Sequence, residues 1–350
     1  MKEKILNEIV NNTIKLIEYK TIKDNYNEFD KALDFISTEL KDYHIEEYVV
    51  DDYKNLVISN TKEKDLDIIF CCHLDVVPAD KYEGLLDNGK LYGRGAFDMK
   101  SQLSVIMSLL KNNKSNKKVA LMITSDEEIG GMCCKEILKD YNASLAVVPD
   151  GGKNFELVIE EKGLLQVELT ANGVTAHASE PYKGKNPIIM LTELYQSLVD
   201  IYKNPKDETE FITSINLSKL NGGDANNMVP SKAIMILDIR YTKEDNPDTI
   251  IDNIKSLSKD IDVKVLAKDP MFHVDENLDI IKDFINAAES ILGKKLIIQK
   301  CVATSDAIYF SEKNIPTILM NPIGNYWHGP DEYVEVDSLY SLYEIFKTLI

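Results

Sequence analysis

Imidazoles and carboxylates stand at the ends of five segments of this chain, and the set has the chemistry of a metal centre. The segments are Ile68-Ile69-Phe70-Cys71-Cys72-His73-Leu74-Asp75, Gly93-Arg94-Gly95-Ala96-Phe97-Asp98, Leu121-Met122-Ile123-Thr124-Ser125-Asp126-Glu127-Glu128, Ala146-Val147-Val148-Pro149-Asp150 and Tyr326-Trp327-His328-Gly329. Three of the five, those ending in His73, Glu127-Glu128 and Asp150, follow an apolar run of strand length. Ligands of open α/β sheets bind beyond the carboxyl ends of the strands, so residues this far apart can converge. Imidazole and carboxylate donors without thiolate suit a catalytic zinc pair better than a structural cysteine site. Two metals about 3.5–4 Å apart can activate a water and polarise a carbonyl, with a nearby carboxylate taking the water proton.

Taken singly, each segment has a plainer explanation. His73 could be a structural histidine, with Asp75 two residues on and on the same strand face. Asp98, in a glycine-flanked loop before a helix, could be a cap. Glu127 and Glu128 could form a solvated acidic turn, and Asp150, before Gly151-Gly152, a turn residue. Adjacent acids point different ways, however, so one of Glu127 and Glu128 can bind metal while the other faces substrate. A coincidence of five is the weaker reading.

The elements that must position these residues divide the chain in two. Residues 1–163 read as helices near both ends of 3–41 and strands near 43–50, 55–59, 67–72, 119–124 and 145–148. Helices follow Asp98 and Gly131. Residues 278–350 add a helix, a strand near 296–300, a short helix after Ser305, a strand at 317–320 and a final helix. Alternating strands and helices predict an α/β domain with a mostly parallel sheet covered on both faces. Between them the pattern becomes strand 164–170, helix 187–201, strands 211–218 and 232–240, helix 247–257 and strand 263–267. That order is the ferredoxin-like α+β split unit, and it closes on itself. The expected domains are therefore 1–163 plus 269–350, which carries the metal ligands, and an insertion over 164–268.

The 350 residues suit two domains, and a net charge of −18 argues against nucleic-acid and anionic-membrane partners. No apolar run approaches a membrane span, and the first 19 residues read as an amphipathic helix rather than a signal peptide. The cysteines, Cys71-Cys72, Cys133-Cys134 and Cys301, make no C-x-x-C pair and are odd in number. A reduced, cytoplasmic protein is the simplest reading. Lysine supplies nearly all the basic residues; only Arg94 and Arg240 are arginine. Retention against such a bias points to a need for the planar guanidinium fork, with chance as the alternative.

At this point the chain resembles a known family: the dinuclear zinc exopeptidases and deacylases, which include succinyl-diaminopimelate desuccinylase, acetylornithine deacetylase, aminoacylase, glutamate carboxypeptidase and bacterial dipeptidases. The family's H-x-D appears as His73-Leu74-Asp75, its G-R-G-x-x-D-M-K as Gly93 to Lys100 and its E-E-x-G-G as Glu127 to Gly131. Its late histidine before an acidic loop appears as His328 with Gly329-Pro330-Asp331-Glu332-Tyr333. The resemblance implies that Asp98 bridges two metals, zinc or alternatively cobalt or manganese. His73 and Asp150 would complete one metal, and Glu128 and His328 the other. Glu127 would be the general base, and Asp75 would orient His73.

The insertion matches as well. Gly173 to Ser179 resembles G-x-x-A-H-S, whose histidine, here His177, stabilises the oxyanion, often in the partner subunit of a homodimer. Asn227-Met228-Val229-Pro230 resembles N-x-[VI]-P. Asp238-Ile239-Arg240 resembles the D-x-R that binds a substrate carboxylate, which gives Arg240 its reason; for Arg94 a structural role is expected. Ser101 and Ala303 stand where the family usually has glycine and would narrow the substrate pocket. Asp150, glutamate in many deacylases, inclines the reading toward a di- or tripeptidase, whereas the modest length inclines it toward an N-acyl-amino-acid deacylase. His44 and His273 need only surface or structural roles. A non-catalytic protein that kept the fold is the competing class, but it would be expected to have lost the base or a ligand, and every position is filled.

Overall fold

Ile68–His73 and Val119–Thr124 lack polar alternation, and both runs are wholly buried. Burial on both faces requires helices on each side, which is the setting of a parallel sheet. The computed structural model describes residues 1–207 and 209–350. In it, strand Asp65–His73 lies between Val119–Thr124 and Asn142–Val148, parallel to both. Asn142–Val148 in turn pairs in parallel with Thr317–Leu319. The register aligns His73 with Thr124 and Phe70 with Val147, so the segments after these strands emerge at one sheet edge.

The flanks of the sheet are antiparallel, which refines the expectation of a mostly parallel sheet. Tyr53–Ser59 pairs with Val119–Thr124 on one side and with His44–Val50 on the other. At the far side Thr317–Leu319 meets Leu157–Glu161 antiparallel, and Ile298–Cys301 pairs with Leu157–Glu161. The two late strands therefore belong to the main sheet.

Helix Lys100–Lys111 is buried along nearly its whole length. It packs against the strand Asp65–His73 and against helices Lys2–Glu18 and Val336–Lys347. Even Lys100 is enclosed. Its Nζ donates to the carbonyls of Leu16 and Tyr19 at 2.9 and 2.8 Å, at the end of helix Lys2–Glu18. The start of helix Lys100–Lys111, just after Asp98, is thereby anchored.

A small antiparallel sheet has no counterpart in the sequence reading. Leu85–Asp87, Lys90–Tyr92, Tyr333–Glu335 and Gly324–Asn325 pair in that order. Its strands have only two or three residues, too few to show a period. It brings the loop before Asp98 against the loop around His328. Gly324 permits the approach, because a Cβ there would fall 2.1 Å from the Phe97 ring.

The chain forms two compact units: Met1–Glu160 with Val274–Cys301 and Ser305–Ile350, and Glu161–His273 with Val302–Thr304. The second unit is a four-stranded antiparallel sheet, ordered Ser214–Gly222, Lys232–Tyr241, Gly163–Asn172 and Ile261–Asp269. This is the order of the split β-α-β unit. Leu165, Val167, Leu169 and Ala171 alternate inward and pack with Leu191, Leu194 and Leu198 of helix Pro187–Tyr202. Burying each large side chain contributes roughly 1.5–3 kcal/mol. Both helices begin Asn-Pro: Asn186 and Asn246 accept the N–H two residues on, and proline follows where no N–H is needed. The second strand starts at Ser214 rather than Phe211. Asn204 brackets its start, exchanging hydrogen bonds of 2.5 and 2.8 Å with Ile215.

Candidate metal centre

The aligned strand ends deliver the first three groups. His73 closes its strand with its ring buried. Its Nδ1 lies 3.0 Å from the Asp75 carbonyl, which only accepts, so Nδ1 carries a proton and Nε2 is the nitrogen that faces the site. Nε2 lies 3.0 Å from Asp98 Oδ1 and 3.7 Å from Asp150 Oδ2. Asp150 follows the strand Asn142–Val148 after Pro149. Glu127 and Glu128 occupy a single 3₁₀ turn beyond Val119–Thr124. Gly131 closes that turn because Asp126 caps Met132 and Cys133, and a Cβ at 131 would sit 1.8 Å from the Asp126 carboxylate.

The loops deliver the rest. Asp98 Oδ2 lies 3.3 Å from His328 Nε2, which is 2.9 Å from Glu128 Oε2. The two oxygens of Asp98 thus face different imidazoles. Potential ligand atoms of His73, Glu127 and Asp150 lie within 4.8 Å of one another, as do those of Asp98, Glu128 and His328.

The donor set fits a pair of divalent cations. Asp98, Glu128 and Asp150 bring three carboxylates together with the imidazoles of His73 and His328, and Glu127 stands beside them. Glu128 Oε1 is buried without a hydrogen-bond partner, an expensive arrangement unless a cation completes it. The local electrostatics agree. Hydrogen bonds to Asp98 and Glu128 push the His328 imidazole up to about 10. Burial, then the neighbouring Asp150 charge, holds the Glu127 carboxyl well above the usual range. Burial opposes ionisation of Asp98, but His328 and His73 outweigh it and hold that carboxyl low.

Asp75 departs from the expected contact. The ring proton of His73 goes to the main-chain carbonyl of Asp75, and the Asp75 carboxylate stands 3.6 Å away. That carboxylate accepts instead the backbone N–H groups of Glu127 and Glu128, at 3.2 and 2.8 Å.

His177, Asn227 and Arg240 lie in the second unit. The segments of the first two are joined: Ala178 N–H donates to the Asn227 carbonyl at 2.9 Å, and Val229 N–H to the Ala176 carbonyl at 2.8 Å. The Ser179 N–H donates to His177 Nδ1 at 3.2 Å, which leaves the proton on Nε2. Arg240 Nε donates to Asp238 Oδ1 at 2.8 Å, and Gln166 holds the other Asp238 oxygen at 2.8 Å. Asp238, itself held by Gln166, therefore orients the guanidinium.

Two residues near the centre escaped the sequence reading. Glu332 lies within the quoted acidic loop and is buried against the Asp98 loop. Its signal was an acid close to the last histidine in a chain with two arginines. Asp306 is also buried, with Cys71 and Cys134 around it. It accepts the Thr124 hydroxyl at 2.9 Å, and burial pushes its carboxyl up to about 7. Among the described residues, no helix is long and apolar enough to cross a membrane.

The sequence model described as peptidase family M20/M25/M40 matches residues 69–350. A succinyl-diaminopimelate desuccinylase from Sulfurimonas denitrificans is 26% identical over 338 residues, covering 91% of this chain and 93% of that protein. A [LysW]-lysine/[LysW]-ornithine hydrolase from Saccharolobus solfataricus is 25% identical over 315 residues, covering 88% and 86%. The structure of aminopeptidase PepT from Bacillus cereus superposes with a TM-score of 0.82 at 20% identity, over 99% of this chain and 98% of that one, a likeness of fold.

Proposed function

Because the chain belongs to peptidase family M20/M25/M40 and is a metal-dependent amide hydrolase of that kind, we propose that its centre holds two zinc ions and cleaves di- or tripeptides. The observation that carries this reading is Asp98, whose two oxygens face His73 and His328 separately. His73 and Asp150 would hold one ion and Glu128 and His328 the other, with Asp98 available to both. Cobalt or manganese can occupy the same oxygen and nitrogen donors.

When bound, the metal pair would acidify a water and polarise the scissile carbonyl. Glu127 takes the water proton and returns it to the leaving amine. It stands beside the ligands, next to Asp150 and His73, and burial raises its affinity for a proton, as a general base requires. Asp75 holds the turn that separates Glu127 from Glu128. His177 offers Nε2–H to the developing oxyanion. Arg240 grips the substrate carboxylate, with Asn227 assisting. The working form is a cytoplasmic homodimer joined through the second unit, His177 reaching the partner's site. Cys71, Cys72, Cys133 and Cys134 carry free, buried thiols, as a reducing compartment would keep them.

A second reading, removal of an N-acyl group from an amino acid, is favoured by the desuccinylase relative. A panel of dipeptides, tripeptides and N-acetyl and N-succinyl amino acids, run with zinc, cobalt or manganese, separates the two. Preferential turnover of free-amino peptides is expected. Preference for an N-acyl substrate selects the second reading, and no hydrolysis by protein carrying two metals removes both.

A further inference from the structure

Glu332 is 1% exposed and Arg94 is 5% exposed, and they form an ion pair. The pair does more than neutralise itself. Glu332 Oε1 accepts the backbone N–H groups of Phe97 and Asp98 at 2.9 and 3.0 Å. Oε2 accepts Gly95 N–H at 3.1 Å and the Arg94 guanidinium. The loop 95–98 is thus folded around a buried carboxylate, as main-chain N–H groups gather around an anion. The Glu332 carbonyl also accepts Gly93 N–H at 3.1 Å. On the other side, Arg94 Nη2 donates to the Gly329 carbonyl at 3.2 Å, one residue beyond His328.

His328 needs such support. It sits at φ 62°, and Tyr326 nearby at φ 61°, in the left-handed region that bulky side chains rarely occupy. Asp98 needs it too, because both of its carboxylate oxygens are committed to the site, leaving its backbone to fix its place. Lysine cannot replace Arg94 here, since two acceptors in different directions call for the planar fork. This accounts for one of the two arginines in a lysine-rich chain.

We infer that Glu332 and Arg94 are positioning residues that hold the Asp98 and His328 loops at metal-binding separation. The inference rests on the metal-centre reading. Neither residue belongs to the two groups that could hold metal. Their effect passes through Asp98 and His328, and outer contacts of this kind typically govern metal affinity by roughly 10–100-fold.

Cobalt(II) titration of metal-free wild-type, Glu332→Gln and Arg94→Lys proteins tests this, with chelator competition for affinity and visible absorption for coordination. Far-UV circular dichroism and thermal melts report the fold. Glutamine turns an NH₂ toward donors on one side of the carboxylate position, so Glu332→Gln is not a mild change. Expected is a folded variant that binds one cobalt roughly 10–100-fold more weakly, with an altered visible spectrum. Arg94→Lys keeps the charge opposite Glu332 but loses the Gly329 contact. It is expected to shift the same spectrum less and remains informative if Glu332→Gln does not fold. Variants that melt earlier yet bind two cobalt ions with wild-type affinity and spectrum overturn the inference and leave a merely structural ion pair. Wild-type protein that takes up no cobalt pair overturns the metal-centre reading and the inference together. Two ions in wild type and two unchanged in both variants overturn the inference alone.

Discussion

The carboxylate of Asp75 accepts the backbone N–H of Glu128 at 2.8 Å. An acid at the end of one strand therefore fixes the turn at the end of the neighbouring strand. The same carboxylate takes the N–H of Glu127. Two adjacent glutamates are held in a turn that sends them to opposite groups, Glu127 beside His73 and Asp150, Glu128 beside Asp98 and His328.

This division gives the first prediction. Glu127→Gln should lower kcat by about 10²–10⁴, the usual worth of a general base, while both metals stay bound. Metal content by mass spectrometry and turnover are measured on the same sample. Loss of a metal along with activity would show that Glu127 is a ligand and that the two glutamates have been exchanged.

His177 gives the second. With Nδ1 accepting from Ser179, the imidazole presents an Nε2–H donor. His177→Ala should cut kcat by about 10²–10³ with unchanged metal content, because the contact forms only in the transition state. If the site is shared between subunits, mixing His177→Ala with Glu127→Ala protein should restore part of the activity. Demonstrably exchanged heterodimers that stay inactive would assign each chain its own complete site.

Arg240 gives the third. Its guanidinium is aligned by Asp238, which Gln166 holds in turn. Arg240→Lys keeps the charge and loses the fork, so KM should rise by about tenfold or more with a smaller change in kcat. A substrate whose carboxylate is converted to an amide should be handled almost equally by both proteins. If the variant loses equally on both substrates, Arg240 does not bind the carboxylate.

A fourth prediction concerns stability away from the centre. Burial alone would raise the Glu46 pKa, but hydrogen bonds from Lys64, His44 and Tyr141 outweigh it and bring it to about 2. A carboxylate depressed in the folded state contributes stability that is present above its unfolded pKa. That contribution is lost as pH falls through the folded value. Glu46→Gln should thus cost about 1–2 kcal/mol near neutral pH, the Glu46 side chain being 27% exposed and partly screened. The difference from wild type should close between about pH 4.5 and pH 2. Urea melts across that range check it, and a constant gap would mean that Glu46 contributes by packing rather than by charge.

Much of the centre was legible in the chain because parallel strands bring their carboxyl ends together. An apolar run ending in His73, another followed by Glu127-Glu128 and a third by Pro149-Asp150 are local signals whose convergence follows from the sheet. The period-two alternation of Gly163–Asn172 and the Asn-Pro helix starts likewise announced the second unit's elements in the letters themselves. What the letters could not decide were contacts made by backbone atoms and by strands too short to have a period. Whether His73 gives its proton to the Asp75 carboxylate or carbonyl depends on where the Glu127 and Glu128 N–H groups arrive. Glu332 looked like one acid among 58 Asp and Glu residues. Only the small sheet joining Lys90–Tyr92 to Tyr333–Glu335 carries it across more than 230 positions of sequence to the N–H groups of the Asp98 loop. Hydrophobic pattern sets which strands are buried; long-range register and main-chain hydrogen bonds set which acid ends beside which donor.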